Sequence, residues 1–432
     1  MIDRLFTRPQ LAMLGREYLM AGHLIDRSGM PNVLGRFGQE AMGAVAIDEW
    51  MGASPVYTRR IQQLLDFAGT DVATIFKGMQ FDVGAPHGFM DFRYSVADAD
   101  HGEFQLAHCG ALMDVEPMGD ELVHTMCHHI EDPTFDATAC ATNARARMRP
   151  IHRPPRVPAG RDPHCHWTVT IEHDAEPLVE PPITSWVAAT LAGSVGLADL
   201  SGQRESDDGW VRYDHPLDPD LRLESFSART LAAINDELCL QGHLLVLSFL
   251  RAVEQRFGAD AALELGVQQF VGIAGVASMR LARALQTGGL ADGSPSADSL
   301  EMIAQVLELH PAFRPRSYVA VEVTRAASPV DGVDSVDSVR LSLGDCLATS
   351  EPSGFSWASL LLGAAEGAGD NGAGQALDAI VQAVDPTARC QLVPPGDGAR
   401  RTWEITVGHA PADELGAVTL TKFSTGADFV LH

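Results

Sequence analysis

Two stretches of the chain share one pattern: LAMLGREYLMAGHL at residues 11–24 and LAAINDELCLQGHL at residues 231–244. The alignment runs without a gap to residues 65 and 285 and contains 16 identities in 55 positions, at a constant offset of 220. Self-similarity at a fixed offset indicates a repeated structural unit. The 432-residue chain therefore predicts two copies of one module.

The similarity returns near the end of each copy. Cys109 corresponds to Cys346 and Trp167 to Trp403, so that the two residues are 58 positions apart in the first copy and 57 in the second. A polar segment rich in Asp and Pro lies between the copies, as is typical of a linker. We therefore expect modules at residues 1–180 and 220–432, with a linker at 181–219.

Each copy has the same predicted order of elements: long amphipathic helices, a strand pair, a helix and a closing hairpin. The expected helices are 9–27, 32–50 and 119–131, then 227–255, 259–286 and 355–366. The expected strands are 90–97, 102–109, 145–151 and 165–172, then 317–324, 338–347, 388–393 and 401–407. This order predicts an α+β fold in which N-terminal helices pack on an antiparallel sheet. The two copies should form an intramolecular pseudo-dimer, with homo-oligomerisation left open.

Charge and composition narrow the classes of partner. The chain has 31 Lys and Arg against 57 Asp and Glu, a formal net charge of -26. Such a surface repels phosphate backbones and anionic lipid headgroups, which argues against nucleic-acid and membrane partners. A small-molecule substrate is expected instead. The first residues, MIDRLFTRPQ, lack the layout of a secretory signal, so we expect a cytoplasmic protein.

Histidine and cysteine are concentrated in one part of the first copy. Eight of the 16 histidines and four of the seven cysteines lie between residues 101 and 166. Seven cysteines in a chain of this length are too sparse for a disulfide scaffold, so the clustering points to a metal or catalytic site.

The order of several of these residues resembles a known pattern. Cys109 is followed by Cys127 with Asp132, by Asn143, and by a strand that opens with Cys165-His166-Trp167. This resembles the L-2-amino-thiazoline-4-carboxylate hydrolase-like family and is more distantly similar to 4-vinyl reductase type ligand-binding domains. The resemblance implies a compact α+β ligand-binding fold and hydrolysis of a small sulfur-nitrogen ring.

Helical spacing suggests a metal site. His124, Cys127, His128 and Glu131 are spaced i, i+3, i+4 and i+7, which places them on one face of a regular helix. Strand alternation groups Cys109 with Gln105 and Ala107, and Cys165 with Trp167 and Val169. Because thiolate and imidazole are preferred ligands of zinc and iron, we expect a Zn or Fe ion. The expected ligands are Cys109, His124, Cys127, His128 and Cys165.

Catalytic and substrate-binding roles follow from the same cluster. A metal-bound water would attack the substrate while His129, Asp132 or Glu131 acts as general base; alternatively, Cys127 is a nucleophile activated by His128. The residues expected to bind substrate are Arg60, His108, Asn143, His152 and His166.

Other interpretations of these residues remain open. The cysteines could be small buried hydrophobic residues and the histidines a surface cluster. His23 and His243, which occupy equivalent helical positions, are expected to be buried and bonded to backbone. The repeated arginines, Arg60 and Arg280 among them, are expected to pair with acidic groups. Gly367–Gly372 matches G-x-G-x-x-G but follows a helix, so it predicts a loop rather than a dinucleotide site.

We therefore predict a hydrolase acting on a small C–N or C–S containing molecule, metal- or cysteine-dependent, with its site in the first module. A non-catalytic small-molecule or metal-binding sensor or carrier is one alternative, and an iron or haem redox enzyme is another. The matching helix of the second copy, GFSWASLLLGAAE, has none of these ligands, so that copy is expected to be structural or regulatory.

Overall fold

The computed structural model describes residues 6–202, 208–287, 298–330, 333–363 and 372–431. Most of the glycine-rich stretch at 367–372 lies outside the described residues. The two modules can be compared element by element over the described ranges.

The first module begins with helices and ends with a hairpin. Its helices are α1 (Arg8–Phe37), α2 (Gln39–Leu64), α3 (Val72–Met79), α4 (Gly110–Val115), α5 (Asp120–His124) and α6 (Glu131–Cys140), and a π-helical segment, Thr125–Ile130, joins α5 to α6. Its strands are β1 (Met90–Val96), β2 (His101–Cys109), β3 (Ala146–His152) and β4 (Cys165–Ile171). A further helix, α7 (Pro182–Ala188), follows the sheet.

The second module repeats this plan. Its helices are α8 (Ala228–Phe257), α9 (Ala259–Thr287), α10 (Ser299–Leu309), α11 (Trp357–Leu362), α12 (Gly374–Gln382) and α13 (Gly416–Thr421). Its strands are β5 (Val321–Val330), β6 (Val333–Gly344), β7 (Arg389–Val393) and β8 (Ala399–Thr406). The predicted α+β class with two similar modules is confirmed.

The two sheets have the same topology. Their strand orders are β1-β2-β4-β3 and β5-β6-β8-β7, and all neighbours are antiparallel. In the first sheet Phe104 faces Trp167 and Leu106 faces Cys165, and all four side chains are buried. One face of the sheet therefore packs against helices, as alternation along β4 predicts.

Equivalent glycines separate the long helices. Gly38 lies between α1 and α2 with φ +86°, and Gly258 lies between α8 and α9 with φ +89°. Both fall in the positive-φ region that disfavours side chains, which explains why this position is glycine in both copies. The tight turn folds each pair of long helices back on itself.

The four long helices, α1, α2, α8 and α9, form the contact between the modules. Phe37 stacks on its equivalent Phe257, with ring centroids 3.8 Å apart and planes 4° apart. Arg60 of α2 binds Glu237 of α8, and the equivalent pair, Arg280 of α9 with Glu17 of α1, repeats the contact. The two copies are thus related by an approximate twofold axis through this interface.

Repeated glycines permit this close packing. A Cβ atom on Gly52 of α2 would lie 2.1 Å from the hydroxyl oxygen of Ser248 on α8. At the equivalent place, a Cβ atom on Gly272 would lie 2.3 Å from the hydroxyl oxygen of Thr421 on α13. Any side chain at either position would force the helices apart, which accounts for the identity between copies.

The segment after the first sheet packs along the first module. The α7 helix contacts α2, and the Thr184 hydroxyl donates to the Met51 carbonyl. Farther along, the Tyr213 N–H donates to the Leu65 carbonyl and Lys77 Nζ donates to the Tyr213 carbonyl. The segment predicted as a linker therefore contains a helix and makes specific contacts.

Among the described residues, α9 is long and apolar enough by composition to cross a membrane. Of its most apolar window, 72% is buried inside the protein, against α1, α8, α12 and α13. Burial of an apolar helix in a core explains this composition without a bilayer.

Candidate functional site

The three cysteines of the predicted site do approach one another. Cys109, Cys127 and Cys165 are only 4%, 2% and 5% exposed, respectively. Each thiol pKa is raised chiefly by burial, and the charge of nearby Glu131 raises all three further. Cys165 lies on the same buried face as Trp167, as strand alternation predicts.

The predicted face of Cys109 is wrong. The pairing of β1 with β2 shifts between Asp91 and Phe92, which gives β2 one extra residue before Cys109. Such a bulge reverses the alternation beyond it. Cys109 therefore returns to the buried side of Phe104 and Leu106, away from the side of Gln105.

The prediction that His124, Cys127, His128 and Glu131 share one helical face is also wrong. The π-helical segment interrupts the regular spacing, because its hydrogen bonds run from i to i+5. Cys127 is buried while His124 is exposed. The His124 and His128 rings lie 4.4 Å apart at the surface side, and His128 Nε2 contacts the Pro154 carbonyl at 2.7 Å.

Burial keeps the thiols in their protonated form. The pKa of Cys109 is raised to about 12, and those of Cys127 and Cys165 are raised well above the usual value. A cysteine nucleophile needs the opposite, a depressed pKa and a neighbouring base. The burial of these thiols therefore argues against a cysteine nucleophile among them.

We expect these thiols to resist alkylation. At pH 7.5, iodoacetamide should modify Cys109, Cys127 and Cys165 far more slowly than the half-buried Cys346, because only exposed thiolate reacts quickly. Peptide mass spectrometry over a time course measures the four rates. Preferential modification of Cys127 would contradict this assignment and restore the cysteine as a nucleophile.

The five expected metal ligands are not assembled. Within the part of the chain that the structure describes, no three His, Cys, Asp or Glu side chains are grouped so that they could hold a metal ion. His124 is exposed, whereas the three thiols are buried. The residues present do not fit a Zn or Fe ion, and the metal stays a prediction.

The other expected site residues are dispersed. Arg60 is buried and bound to both oxygens of Glu237 at 2.8 Å, so it serves the module interface rather than a substrate. Asn143 donates to the Thr70 carbonyl, and Asp132 pairs with Arg153. His129 is exposed, whereas His108, His152 and His166 are partly buried, with His166 bound to Glu103 and near His152.

A cavity of about 170 Å³ lies in the first module, between α1, α2, β1 and the helix that contains the π segment. We call it the first-module cavity. Five methionines line it: Met30, Met42, Met79, Met90 and Met126. Flexible thioethers adapt to different ligand shapes, which suits a binding site.

Helix α1 supplies the polar wall of the cavity. Four residues of one helical face line it, at spacing i, i+3, i+4 and i+7: His23, Asp26, Arg27 and Met30. This is the spacing that the sequence analysis found in the helix expected at 119–131. Arg27 contacts Asp26 at 2.7 Å and Asp114 at 3.5 Å. Its charge is therefore balanced within the protein.

The π segment turns a carboxyl group toward the cavity. Met126 and Ile130 of the π segment line it together with Glu131, which directly follows that segment. Burial raises the pKa of Glu131 to about 8, and its Oε2 atom has no hydrogen-bond partner. At neutral pH this group is therefore a proton donor.

Further buried polar groups surround the same space. Asp82 lines the cavity and accepts from the Tyr57 hydroxyl and the Gly84 N–H at 2.7 Å each, while burial raises its pKa to about 6. His23 is 4% exposed, its pKa is lowered by burial, and neither ring nitrogen has a partner. Unsatisfied buried polar groups are costly, so such groups typically bind an ordered water or a ligand.

His23 departs from its expected role. The prediction of a histidine bonded to backbone is correct for His243, whose Nε2 contacts the Arg314 carbonyl at 2.8 Å, but wrong for His23. The sequence did contain a signal that distinguishes the copies. Asp26, Arg27, Glu49 and Trp50 correspond, at the offset of 220, to Val246, Leu247, Gln269 and Phe270.

Aromatic side chains occupy the corresponding part of the second module. Around His243, Tyr318 and Trp357 lie with ring centroids 4.9 and 5.1 Å away, and Phe270 stacks on Trp357 at 5.3 Å. Trp357 is 1% exposed. Aromatic rings therefore fill the second copy at the place where polar groups surround the cavity of the first copy.

We expect Trp357→Leu to lower the free energy of unfolding by about 1–3 kcal/mol, because the smaller side chain leaves part of this packed volume empty. Urea unfolding followed by circular dichroism measures the change. Leu122→Ala, at the rim of the first-module cavity, serves as the comparison and should cost less, since Leu122 is not fully packed. Equal costs would contradict the asymmetry between the modules.

An open groove adjoins the first-module cavity. The two share Ala85, Met90 and Phe92 as lining residues. The groove runs along the free edge of β1 and is bordered by residues 219–224.

Comparisons of the chain with protein-family models, with curated proteins and with solved structures find no match.

Proposed function

We propose that the protein binds a compact small molecule in the first-module cavity. One observation carries the proposal: an apolar, methionine-rich cavity is bordered by buried polar atoms that have no hydrogen-bond partner within the protein, namely both ring nitrogens of His23, Nε of Arg27 and Oε2 of Glu131. Binding sites typically combine an apolar lining with a few placed polar groups. A ligand would satisfy those groups.

The dimensions suit a molecule with one ring. The cavity of about 170 Å³ is comparable with an engineered cavity of about 150 Å³ that accommodates benzene. Unlike a purely apolar void, it offers hydrogen-bonding groups on two sides, from α1 and from the π segment. These groups would fix the orientation of the ligand.

A library of one-ring fragments tests this function. Ligand-observed NMR should identify fragments that bind at sub-millimolar concentration and that displace one another from a single site. Among the described residues of the second module, Trp357 packs on His243 and Phe270 at the corresponding place, so a stoichiometry of one fragment per chain is expected. Failure of every fragment to bind, or binding of unrelated fragments at many independent sites, would contradict the proposal.

Hydrolysis of a small C–N containing molecule is a second candidate, favoured by two carboxyl groups with different pKa values. At pH 7 Asp82, with a pKa of about 6, is largely ionised, whereas Glu131, with a pKa of about 8, is largely protonated. Paired groups whose pKa values differ in this way can serve as base and acid. Asp82 would accept a proton from water while Glu131 donates one to the leaving nitrogen.

If the protein is such a hydrolase, its rate should follow a bell-shaped pH profile. Activity requires ionised Asp82 and protonated Glu131, so it should fall below about pH 6 and above about pH 8. Steady-state kinetics of Asp82→Asn and Glu131→Gln should each show kcat lowered by about 100-fold and loss of one limb of the profile. The exposed Glu121→Gln serves as control on the same helix. A profile that keeps both limbs in the variants would contradict these roles.

The metal-dependent forms of the reaction remain proposals with a separate test. Elemental analysis of protein purified without a histidine tag, with an absorption spectrum, distinguishes zinc from iron or haem. Stoichiometric metal that is lost in Cys109→Ser and Cys165→Ser would support a thiol-bound ion. Metal-free protein that still turns over a substrate would support the carboxyl mechanism.

A further inference from the structure

Acidic side chains outnumber basic ones in the lining of the first-module cavity. Three acidic side chains line it, Asp26, Asp82 and Glu131, against one guanidinium, that of Arg27. Arg27 already contacts the carboxylates of Asp26 and Asp114, at 2.7 and 3.5 Å. The cavity therefore offers no unbalanced positive charge to a ligand.

A fourth acidic group, Glu49, lies behind this wall. Its side chain is fully buried, and neither carboxyl oxygen has a partner. Burial raises its pKa well above the usual value, and the charge of Asp26 raises it further. The arrangement would stabilise added positive charge and penalise added negative charge.

The remaining lining favours a cation with an apolar body. Trp50, Phe92 and Phe135 border the cavity together with the methionines. Aromatic faces carry negative electrostatic potential and attract ammonium and amidinium groups, and more strongly when water is excluded. Neutral aromatic and thioether surfaces also accommodate an apolar ring.

We propose that the ligand of this cavity is a small organic cation, an amine or amidine attached to a single apolar ring, whose charged nitrogen contacts Glu131. This inference rests on the proposed binding function and adds the charge and chemical class of the ligand.

Binding of such a cation is coupled to proton release. Glu131 faces the charged groups of Arg153, Asp132 and Arg27, and it also lies near the buried thiols of the three cysteines on β2, the π segment and β4. Asp82 faces the Tyr57 hydroxyl and the Gly84 N–H. With a pKa of about 8, Glu131 is mostly protonated in the empty cavity at pH 7. A bound cation favours the carboxylate, so the group loses its proton on binding, and the affinity rises as the pH is raised from 6 to 8.

Three one-ring probes of similar size test the inference: benzylamine, benzyl alcohol and benzoate. Isothermal titration calorimetry at pH 7.5 should give benzylamine an affinity at least tenfold above the other two. Titrations in buffers of different ionisation enthalpy should show that the protein releases a proton when benzylamine binds. The affinity for benzylamine should fall as the pH is lowered to 6. Glu131→Gln should remove most of the preference and the proton release, whereas Glu121→Gln should change neither.

Asp82→Asn tests a second acidic side chain of the cavity in the same way. Circular dichroism confirms that each variant is folded. Benzyl alcohol or benzoate binding as tightly as benzylamine overturns the cation inference and leaves the small-molecule function intact. Failure of all three probes to bind, while other fragments bind, also overturns the inference. Failure of both the probes and the fragment library overturns the inference and the proposed function together.

Discussion

Replacing Glu237 by alanine should lower the free energy of unfolding by about 3–5 kcal/mol, because it leaves a buried guanidinium without its counter-charge. Arg60 donates to both oxygens of Glu237 at 2.8 Å, and the two side chains are only 10% and 8% exposed. The pair connects α2 of the first module to α8 of the second. Its loss therefore weakens the interface on which both modules depend.

Guanidinium chloride unfolding measures this change. Glu17→Ala, which breaks the equivalent pair with Arg280, should cost a similar amount, since the two contacts are related by the approximate twofold axis. Glu264→Ala breaks the exposed pair between Arg36 and Glu264, and it should cost no more than about 1 kcal/mol. A cost for Glu237→Ala as small as that of Glu264→Ala would contradict the described interface.

Filling the first-module cavity with Ala46→Phe should abolish ligand binding, a loss of at least about 1000-fold in affinity. Ala46 lies on α2, is 2% exposed and lines the cavity. A phenyl ring at this position would take up most of a volume that holds about one ring. The overpacked variant should remain folded, at a cost of about 1–3 kcal/mol.

Ala44→Phe is the matched control, because Ala44 lies on the same helix but does not line the cavity. Titration of both variants with the tightest fragment from the library measures the effect, and thermal unfolding confirms that each is folded. Unchanged affinity in a folded Ala46→Phe variant would place the ligand elsewhere. Loss of affinity in both variants would indicate a general disturbance of α2.

Much of the fold could be predicted from the sequence, because the pattern of each element occurs twice, once in each copy of the module. The strands of the first sheet, the closing hairpin of the second and the helices expected at 227–255 and 259–286 lie within a few residues of the expected ranges. The break expected after residue 27 is wrong, because α1 continues to Phe37 and Gly38 divides it from α2, which ends at Leu64 rather than at residue 50. Apolar periodicity determines such elements locally. The inward face of β4 followed from the same argument.

The predicted site differed because single-residue irregularities change the direction of side chains. A bulge in β2 moved Cys109 to the buried face, and the π segment separated Cys127 from His124. Neither irregularity is encoded in a simple period. The clustered histidines partly form surface pairs, such as His101 with Asp98 and His166 with Glu103.

The cavity itself could not be predicted from residue types alone. His23 appears in both copies at the same helical position, so it looked structural, and only the tertiary structure shows that its ring nitrogens have no partner. The differences between the copies were the usable signal. Asp26 and Arg27 of the first copy face a cavity, whereas Val246 and Leu247 of the second are buried in the core.

A crystal structure of the protein soaked with its tightest fragment is the most direct test of the central claim, that the first-module cavity is the ligand site. Our account predicts one molecule in that cavity, in contact with His23 or Glu131, and none beside Trp357. A fragment bound instead at the His124–His128 surface or among Cys109, Cys127 and Cys165 would contradict it.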